Sequence, residues 1–257
     1  MNAASLRRMI DKLNAKGLAG SSVRACVSTA SAVFRHGVRD LGAIPRNPVR
    51  DLDRDDRPSA QRQTEPRYLS VGEIGRLLDK LSDESRPVAS ACFWGALRVS
   101  EALRLTWADI DFDAKLIAVP GSKTAASKAS IPLLPALADE LRTHRERQAS
   151  RGFDRIAAGA VIFQTASGLS PLRRNLLRAI TNAAKRAGLQ PEGAEPVGVH
   201  DLRHSFAAYA LGGGLSLLET SRVLRHANPQ VTAAVYAGMT DEAVTALGSK
   251  LEAIGAR

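Results

Sequence analysis

Cysteine is scarce in this 257-residue chain: only Cys26 and Cys92 occur. Both sit in apolar, helical-looking contexts with no metal-type spacing, which excludes a disulfide scaffold or cysteine zinc site and points to a reduced, cytoplasmic setting. No run approaches the roughly 18 apolar residues of a membrane span, and the first residues lack the apolar core of a secretory leader, so no membrane partner is expected. Internal repeats and low-complexity tracts are absent. So is any Asp/Glu cluster at magnesium-type spacing. Of the five histidines, only His200 and His204 stand four apart, with no acidic third ligand placed to complete a site. A metal hydrolase is therefore disfavoured, and neither metal nor cofactor is expected.

Acidic residues are also outnumbered. There are 26 Asp and Glu against 36 Lys and Arg, a formal net charge of +10. Such an excess neutralises a phosphate backbone and gives salt-dependent binding, so double-stranded DNA is the expected partner. The excess is steepest in residues 1–50, which carry nine Lys or Arg against two Asp.

Residues 51–66 are charged, lack apolar periodicity and are bracketed by proline, which reads as a linker. The division expected is a short helical domain over 1–57, a linker over 58–66 and a larger domain over 67–257. In the first, Leu6, Met9, Ile10 and Leu13 form one helical stripe closed by Gly17. Ser21 or Ser22 then caps a second helix with Val23, Val27, Ala30 and Phe34 on one face. So short a segment has a thin core.

Beyond the linker, Ser70 and Glu73 form a capping box for a helix through Leu81, and a second helix is expected from about Pro87 to Trp107. Leu116–Val119 and Ser130–Leu133 read as short strands around a Gly-Ser-Lys turn. Helices follow at about Pro135–Ser150, Leu172–Ala187, Asp201–Leu211 and Ser216–His226. Asn228 and Pro229 open another, which carries Tyr236, and Asp241–Ile254 is a last amphipathic segment. The fold class is mainly α with a small antiparallel β element (α+β).

Several residues stand out chemically. Arg98, read within the 87–107 helix, has Ala91, Trp94, Gly95, Ala102 and Leu105 around it; a guanidinium on such a face needs a partner, and Glu101 at i+3 supplies one. A structural Arg–Glu pair is the plainer alternative. Lys123 stands in the turn between the strands, where an ammonium can reach over a ligand, although Lys128 on the return side competes for that role. His200 and Arg203, three apart at a helix start, point the same way and suit a phosphodiester; the apolar face Phe206, Ala207 and Leu211 would direct them outward. His204 could serve instead of His200, or support the fold. His226 closes the helix opened by Ser216 and Glu219, where a cation on the helix dipole is the plainer reading. Of three tyrosines, Tyr68 lies by the linker and Tyr209 mid-helix, whereas Tyr236 sits among small residues. Together these suggest phosphoryl transfer to a tyrosine.

Taken in order, Arg98, Lys123, His200, Arg203, His226 and Tyr236 resemble the active-site series of the tyrosine recombinases, the phage-integrase-type site-specific recombinases. Ala96-Leu-Arg-Val-Ser-Glu-Ala-Leu-Arg-Leu-Thr-Trp-Ala-Asp-Ile-Asp111 looks like the family's first box. His200-Asp-Leu-Arg-His-Ser-Phe206 and Leu224-Arg-His226 with Tyr236 look like its second. The resemblance implies a helical core-binding domain followed by a catalytic domain. It further implies site-specific recombination or integration, with Tyr236 as nucleophile forming a 3′-phosphotyrosine. Arg98 and Arg203 would hold the non-bridging oxygens, and Lys123 would protonate the departing 5′-oxygen. His200 would be an acid/base, His226 a hydrogen-bond donor to the phosphate and Glu101 the residue orienting the cations. It also implies self-association on DNA, from dimer to tetrameric synapse, and a nucleoid-associated location. Three departures stand against it. Ala96 and Arg225 occupy positions where the family favours glycine, and the N-terminal domain is short by a helix, with no arm-binding domain before it. A DNA-binding protein that keeps the fold without strand exchange, or an enzyme like the type IB topoisomerases, are the alternatives.

Overall fold

The computed structural model of the chain describes residues 2–53, 55–57, 67–121, 129–191, 193 and 195–226. It divides into two units, Met1–Glu65 and Pro66–Arg257. Lys123 and Lys128 lie outside the described residues, as do Asn228, Pro229, Tyr236 and the segment 241–257.

In the first unit, Asn2 caps α1 (Ala3–Ala15) by accepting the Ser5 N–H at 3.0 Å. Gly17, at φ +72, turns the chain out of it. That left-handed geometry carries no steric cost without a Cβ. α2 (Gly20–Arg39) starts two residues earlier than its serines suggested: Ala19 is the cap residue, and Ser21 and Ser22 lie inside the first turn. Leu6 and Ile10 of α1 meet Val23 and Val27 of α2 and Leu52 beyond it. A short 3-10 turn, Pro48–Asp51, is docked by Asn47, whose side chain accepts the Val49 N–H and donates to the Ser31 carbonyl. Just beyond it, Arg7 donates to Asp56 at 2.6 Å and to Asp53 at 3.1 Å. Residues 51–53 and 55–57 are tied into this unit. Asp53 and Asp56 pair with Arg7 of α1, Asp51 pairs with Arg46, and Leu52 is 3% exposed.

The second unit is built around α4 (Arg86–Trp94), whose residues from Pro87 to Phe93 are all buried. Ahead of it, the Ser70–Glu73 box opens α3 (Val71–Asp79) with both reciprocal bonds formed. α4 packs against α6 (Pro135–Ala149) and α8 (Val199–Gly212), with α7 (Arg173–Arg186) beside α3 and α8, and α9 (Leu217–Val223) against α8. Phe93 meets Phe206 edge-on at 6.1 Å between ring centroids, and Trp94 meets Tyr209 at 6.0 Å. Three short strands, β1 (Ile110–Asp111), β2 (Leu116–Val119) and β3 (Ala129–Pro132), form an antiparallel sheet in that order. Ile117 pairs with Ile131, and both are buried. The mainly α, α+β architecture expected from the sequence is thus observed.

The single helix expected from Pro87 to Trp107 is not. α4 stops at Gly95, Ala96 adopts φ +46, and a separate one-turn helix, α5 (Val99–Ala102), follows. The Ala91 carbonyl accepts from both Gly95 and Leu97 N–H groups, closing the end of α4. A Cβ at Gly95 would lie 2.8 Å from that oxygen, so only glycine fits there. Arg98 is consequently not mid-helix: it is the N-cap residue of α5, in extended conformation.

The thin core of the first unit gives one expectation. Leu52→Ala should destabilise that unit by about 2–5 kcal/mol, the usual cost of a truncated buried leucine. Hydrogen exchange read by mass spectrometry should then speed up across α1 and α2 while α4 and α8 keep their protection. Unchanged exchange in α1 and α2 would show that Leu52 does not hold this core.

Candidate active site

Three chain breaks bring the functional candidates together: the Gly95–Arg98 turn between α4 and α5, the N-terminus of α8, and the exit of α9. Glu101 sits at their meeting point, 4% exposed. It reaches back one turn of α5 to accept the Arg98 backbone N–H on Oε2 at 2.8 Å and the Arg98 Nη1 on Oε1 at 2.7 Å. The pair expected between these residues is present, but it is made by helix capping rather than along a continuous helix.

Asp201 caps α8 by accepting the Gly198 N–H at 2.7 Å. From this helix Arg203 turns inward, 5% exposed, and donates to the carbonyls of Ala96 and Leu224. Its Nη1 is 3.8 Å from Glu101 Oε2. The sequence reading directed both His200 and Arg203 outward. Only His200 is exposed; Arg203 shares the buried side with Phe206 and Ala207, where two carbonyls and a carboxylate compensate its charge. His204 lies next to His200, ring centroids 6.5 Å apart.

Arg225 is the residue that sequence reasoning missed as a member of the site. It follows α9 at φ +53, and its side chain is 3% exposed. Nη2 donates to Glu101 Oε2 at 2.7 Å and to the Ala96 carbonyl at 3.0 Å, and Nη1 donates to the Val223 carbonyl at 2.9 Å. The available signal was its place at a helix exit, where glycine ordinarily takes the left-handed turn. His226 follows, its N–H donating to the Ser221 carbonyl at 3.1 Å.

The cations shape the titration of the site. Burial alone would raise the Glu101 carboxyl, but the Arg225 charge and the hydrogen bonds from Arg98 and Arg225 outweigh it and hold the group below the ordinary range. His226 is pushed down to about 4, first by desolvation and then by Arg203, Arg98, His204 and Arg225. His200 is lowered too. Although exposed by area, its ring is crowded enough for desolvation to lead, with Arg173, Arg203 and Arg98 adding to it. The Cys92 thiol, fully buried behind the cluster, rises to about 12 and is inert as a nucleophile. Planar guanidiniums around one carboxylate, with imidazoles close to those guanidiniums, suit a bound oxyanion. A divalent cation would be repelled. Among the described residues no three His, Cys, Asp or Glu side chains group as a metal site.

Residues 67–243 match the family model described as the phage integrase family. The chain belongs to that family, the tyrosine recombinases. It is 30% identical over 226 residues to the tyrosine recombinase XerD of Mycobacterium tuberculosis, covering 83% of this chain and 70% of the relative. It is 28% identical over 245 residues to XerA of Thermococcus kodakarensis, covering 94% and 79%. Among solved structures, the Tn1549 transposon integrase in complex with transposon right end DNA has the same fold, with a TM-score of 0.74 at 18% identity over 98% of this chain and 86% of that one. A lambda integrase tetramer bound to a Holliday junction gives 0.68 at 20% identity over 91% and 64%. For this tyrosine recombinase, the two glycine-favouring positions of the motif, Ala96 and Arg225, are both left-handed. Among the described residues, no helix is long and apolar enough to cross a membrane.

The depressed His226 carries a pH expectation. Its folded pKa of about 4 lies below the ordinary 6.5, so between those values the unfolded chain binds more protons and stability falls as pH falls. Above that window the contribution is level. NMR of ring-labelled histidine should find His226 neutral at pH 6, with its signals moving only on approach to pH 4. A midpoint near 6.5 would mean that neither burial nor the cationic surroundings are felt.

Proposed function

We propose that this tyrosine recombinase cleaves and rejoins double-stranded DNA at specific sites through a 3′-phosphotyrosine formed on Tyr236. The supporting observation is the gathering of Arg98 and Arg203, from separate elements, around the Glu101 carboxylate, with His226 near enough to both guanidiniums to feel their charge. Fixed planar donors beside neutral imidazoles match the charge that builds on a phosphodiester during in-line attack.

The Tyr236 oxygen attacks phosphorus, and the bond from phosphorus to the 5′-oxygen breaks. Arg98 and Arg203 hold the two non-bridging oxygens through the five-coordinate state. Lys123 delivers a proton to the departing 5′-oxygen, which as an alkoxide is a poor leaving group. His200 serves as acid/base near Tyr236, and His226, neutral at physiological pH, donates a hydrogen bond to the phosphate. Glu101 holds Arg98 in place. Attack by a 5′-hydroxyl on the phosphotyrosine reverses the step and joins strands. The covalent bond retains the energy of the phosphodiester, so neither ATP nor a metal takes part.

DNA recognition is shared by residues 1–57, read as the core-binding domain, and 67–257, read as the catalytic domain, with 58–66 between them. In the first unit Arg35, Arg39, Arg46 and Arg50, with Ser31 and Asn47, line a cavity of about 490 Å³. This is the kind of concave cationic surface that a DNA backbone occupies. The lambda integrase neighbours are dimers and tetramers on DNA, which supports self-association from dimer to tetramer for this chain and a place on the nucleoid. One observation favours a second reading: Arg225 takes a Glu101 oxygen at a position where glycine is usual, which could leave a DNA-binding protein that does not exchange strands.

Tyr236→Phe removes only the hydroxyl, so DNA binding should survive while the covalent adduct disappears. The substrate is a nicked suicide duplex bearing the sequence the wild-type protein selects from a randomised pool, and the readout is a denaturing gel. A Phe variant that forms adduct at the wild-type rate displaces Tyr236 from the role. A wild-type protein that binds but never forms adduct selects the second reading.

Arg98→Lys keeps the charge but loses the planar fork. Because Arg98 is partly exposed, the fold should tolerate the change, while adduct formation slows on the order of 10²-fold, the scale of losing one main oxyanion donor. Near-normal cleavage by this variant would exclude a bidentate role.

A further inference from the structure

We propose that Arg225 is a positioning residue for strand cleavage, tying the turn that presents Arg98 to the turn that presents His226. The inference rests on the recombinase reading above and concerns a residue to which the family motif assigns no such part.

Arg225 departs from the glycine expected at its position, and its backbone stays left-handed all the same. A bulky residue at positive φ is unfavourable; the exit of α9 sets the turn, with the Arg225 N–H on the Arg222 carbonyl and the His226 N–H on the Ser221 carbonyl, and the side chain adds contacts that offset the cost. Those contacts are specific. The side chain is nearly inaccessible and grips three acceptors: Glu101 Oε2, the Ala96 carbonyl and the Val223 carbonyl. The first two belong to the Arg98 turn, and the third to the end of α9. One guanidinium thus bridges segments more than a hundred residues apart, 124 for the pair with Glu101. Its Nε is buried without a hydrogen-bond partner, so the bridge is retained despite an unsatisfied donor.

The carboxylate explains the consequence. Oε1 takes Arg98 Nη1, and Oε2 takes the Arg98 N–H together with Arg225 Nη2. Arg203 is the next cation in line, its Nη1 3.8 Å from Oε2. Without the Arg225 guanidinium, Arg203 is the cation placed to close on Glu101, and its fork turns away from the phosphate it is meant to hold. In this role the Arg225 guanidinium acts through Glu101 and makes no contact of its own with DNA. Its loss therefore slows the chemical step and leaves affinity alone.

The experiment uses the full chain, the pool-selected suicide duplex and single-turnover adduct formation, with equilibrium binding measured in parallel. Arg225→Met keeps length and loses charge. It should slow cleavage at least about tenfold while DNA affinity stays within about twofold. Arg225→Lys, whose single ammonium cannot hold all three acceptors, should fall between Met and wild type. Combining Arg225→Met with Glu101→Gln should cleave no more slowly than Glu101→Gln alone, because the effect of Arg225 passes through that carboxylate. Wild-type rates in Arg225→Met, affinity losses that track the rate losses, or multiplying effects in the double variant would each overturn the role. So would an Arg225→Gly protein faster than wild type, which would make the side chain a hindrance. If Arg225→Met does not fold, Arg225→Lys decides: slowed cleavage at unchanged affinity supports the role, and an unchanged rate overturns it. A wild-type protein that forms no adduct overturns the recombinase reading itself, a result distinct from any difference among the variants.

Discussion

A buried carboxylate facing three guanidiniums is the constraint on which the second unit depends. Leaving the buried charge of Glu101, Arg203 or Arg225 uncompensated would cost on the order of several kcal/mol. Glu101 can meet Arg98, Arg225 and Arg203 together only if three remote turns are brought to one point. The α4–α5 break, the α8 start and the α9 exit are therefore coupled by electrostatics as well as by packing. The Ala96 carbonyl strengthens the coupling by accepting from both Arg203 and Arg225. Buried polar networks of this sort contribute little net stability when complete, but they penalise every arrangement that leaves a member unpaired.

The apolar core holds this cluster from behind. α4 is buried along nearly its full length, so it sets the position of the turn that follows it. Phe93 and Phe206 lock α4 against α8, the helix that carries His200 and Arg203. The chemistry-bearing side chains then project from helix ends, where backbone direction changes and three elements can converge. The charge of the cluster feeds back on its own histidines. Desolvation first, and then neighbours that would themselves neutralise a phosphate, disfavour protonation of His226 and His200, so a bound anion would relax the second part of the constraint on both rings.

Much of this was legible in the chain because it rests on local rules. The Ser70–Glu73 and Ser216–Glu219 boxes announced α3 and α9, and both are formed. Leu116–Val119 was read as a strand over the same residues that form β2, since alternation bounded by turns is a period-two signal. Arg98, Glu101, Arg203 and His226 were found by type and spacing, and they meet. What escaped was set by tertiary contacts. Ala, Leu and Glu around residue 98 are good helix formers, and they outweighed Gly95, the one local sign that α4 ends there. The inward turn of Arg203 was hidden for the same reason: its acceptors are carbonyls from Ala96 and Leu224, which no helical wheel of α8 contains. β1, only two residues long, offered too little periodicity to detect.

Positive φ at a residue other than glycine is not by itself a mark of function, as the three instances among the described residues make clear. Lys115 is left-handed, but it lies in the exposed turn between β1 and β2, where the Asp111 side chain accepts the Asp113 and Ala114 N–H groups and shapes the loop. Hairpin geometry accounts for it. Ala96 and Arg225 each stand one residue past a helix cap, where the left-handed turn closes α4 and α9, but neither is the glycine such a turn favours. Ala96 is fully buried, the Arg225 side chain almost so, and the two are bonded to each other across the site. Strain of order 1–3 kcal/mol at each position persists only where the surroundings over-determine the conformation. Here the surroundings are the helix-closing hydrogen bonds at the ends of α4 and α9 together with the three guanidiniums and Glu101. The left-handed turn at Ala96 delivers its carbonyl to Arg203 and Arg225, and the left-handed turn at Arg225 delivers its side chain to Glu101. A glycine at either place would give the same backbone more cheaply. At position 225 it would give up the bridge, which is why this chain can keep an arginine there despite its backbone cost.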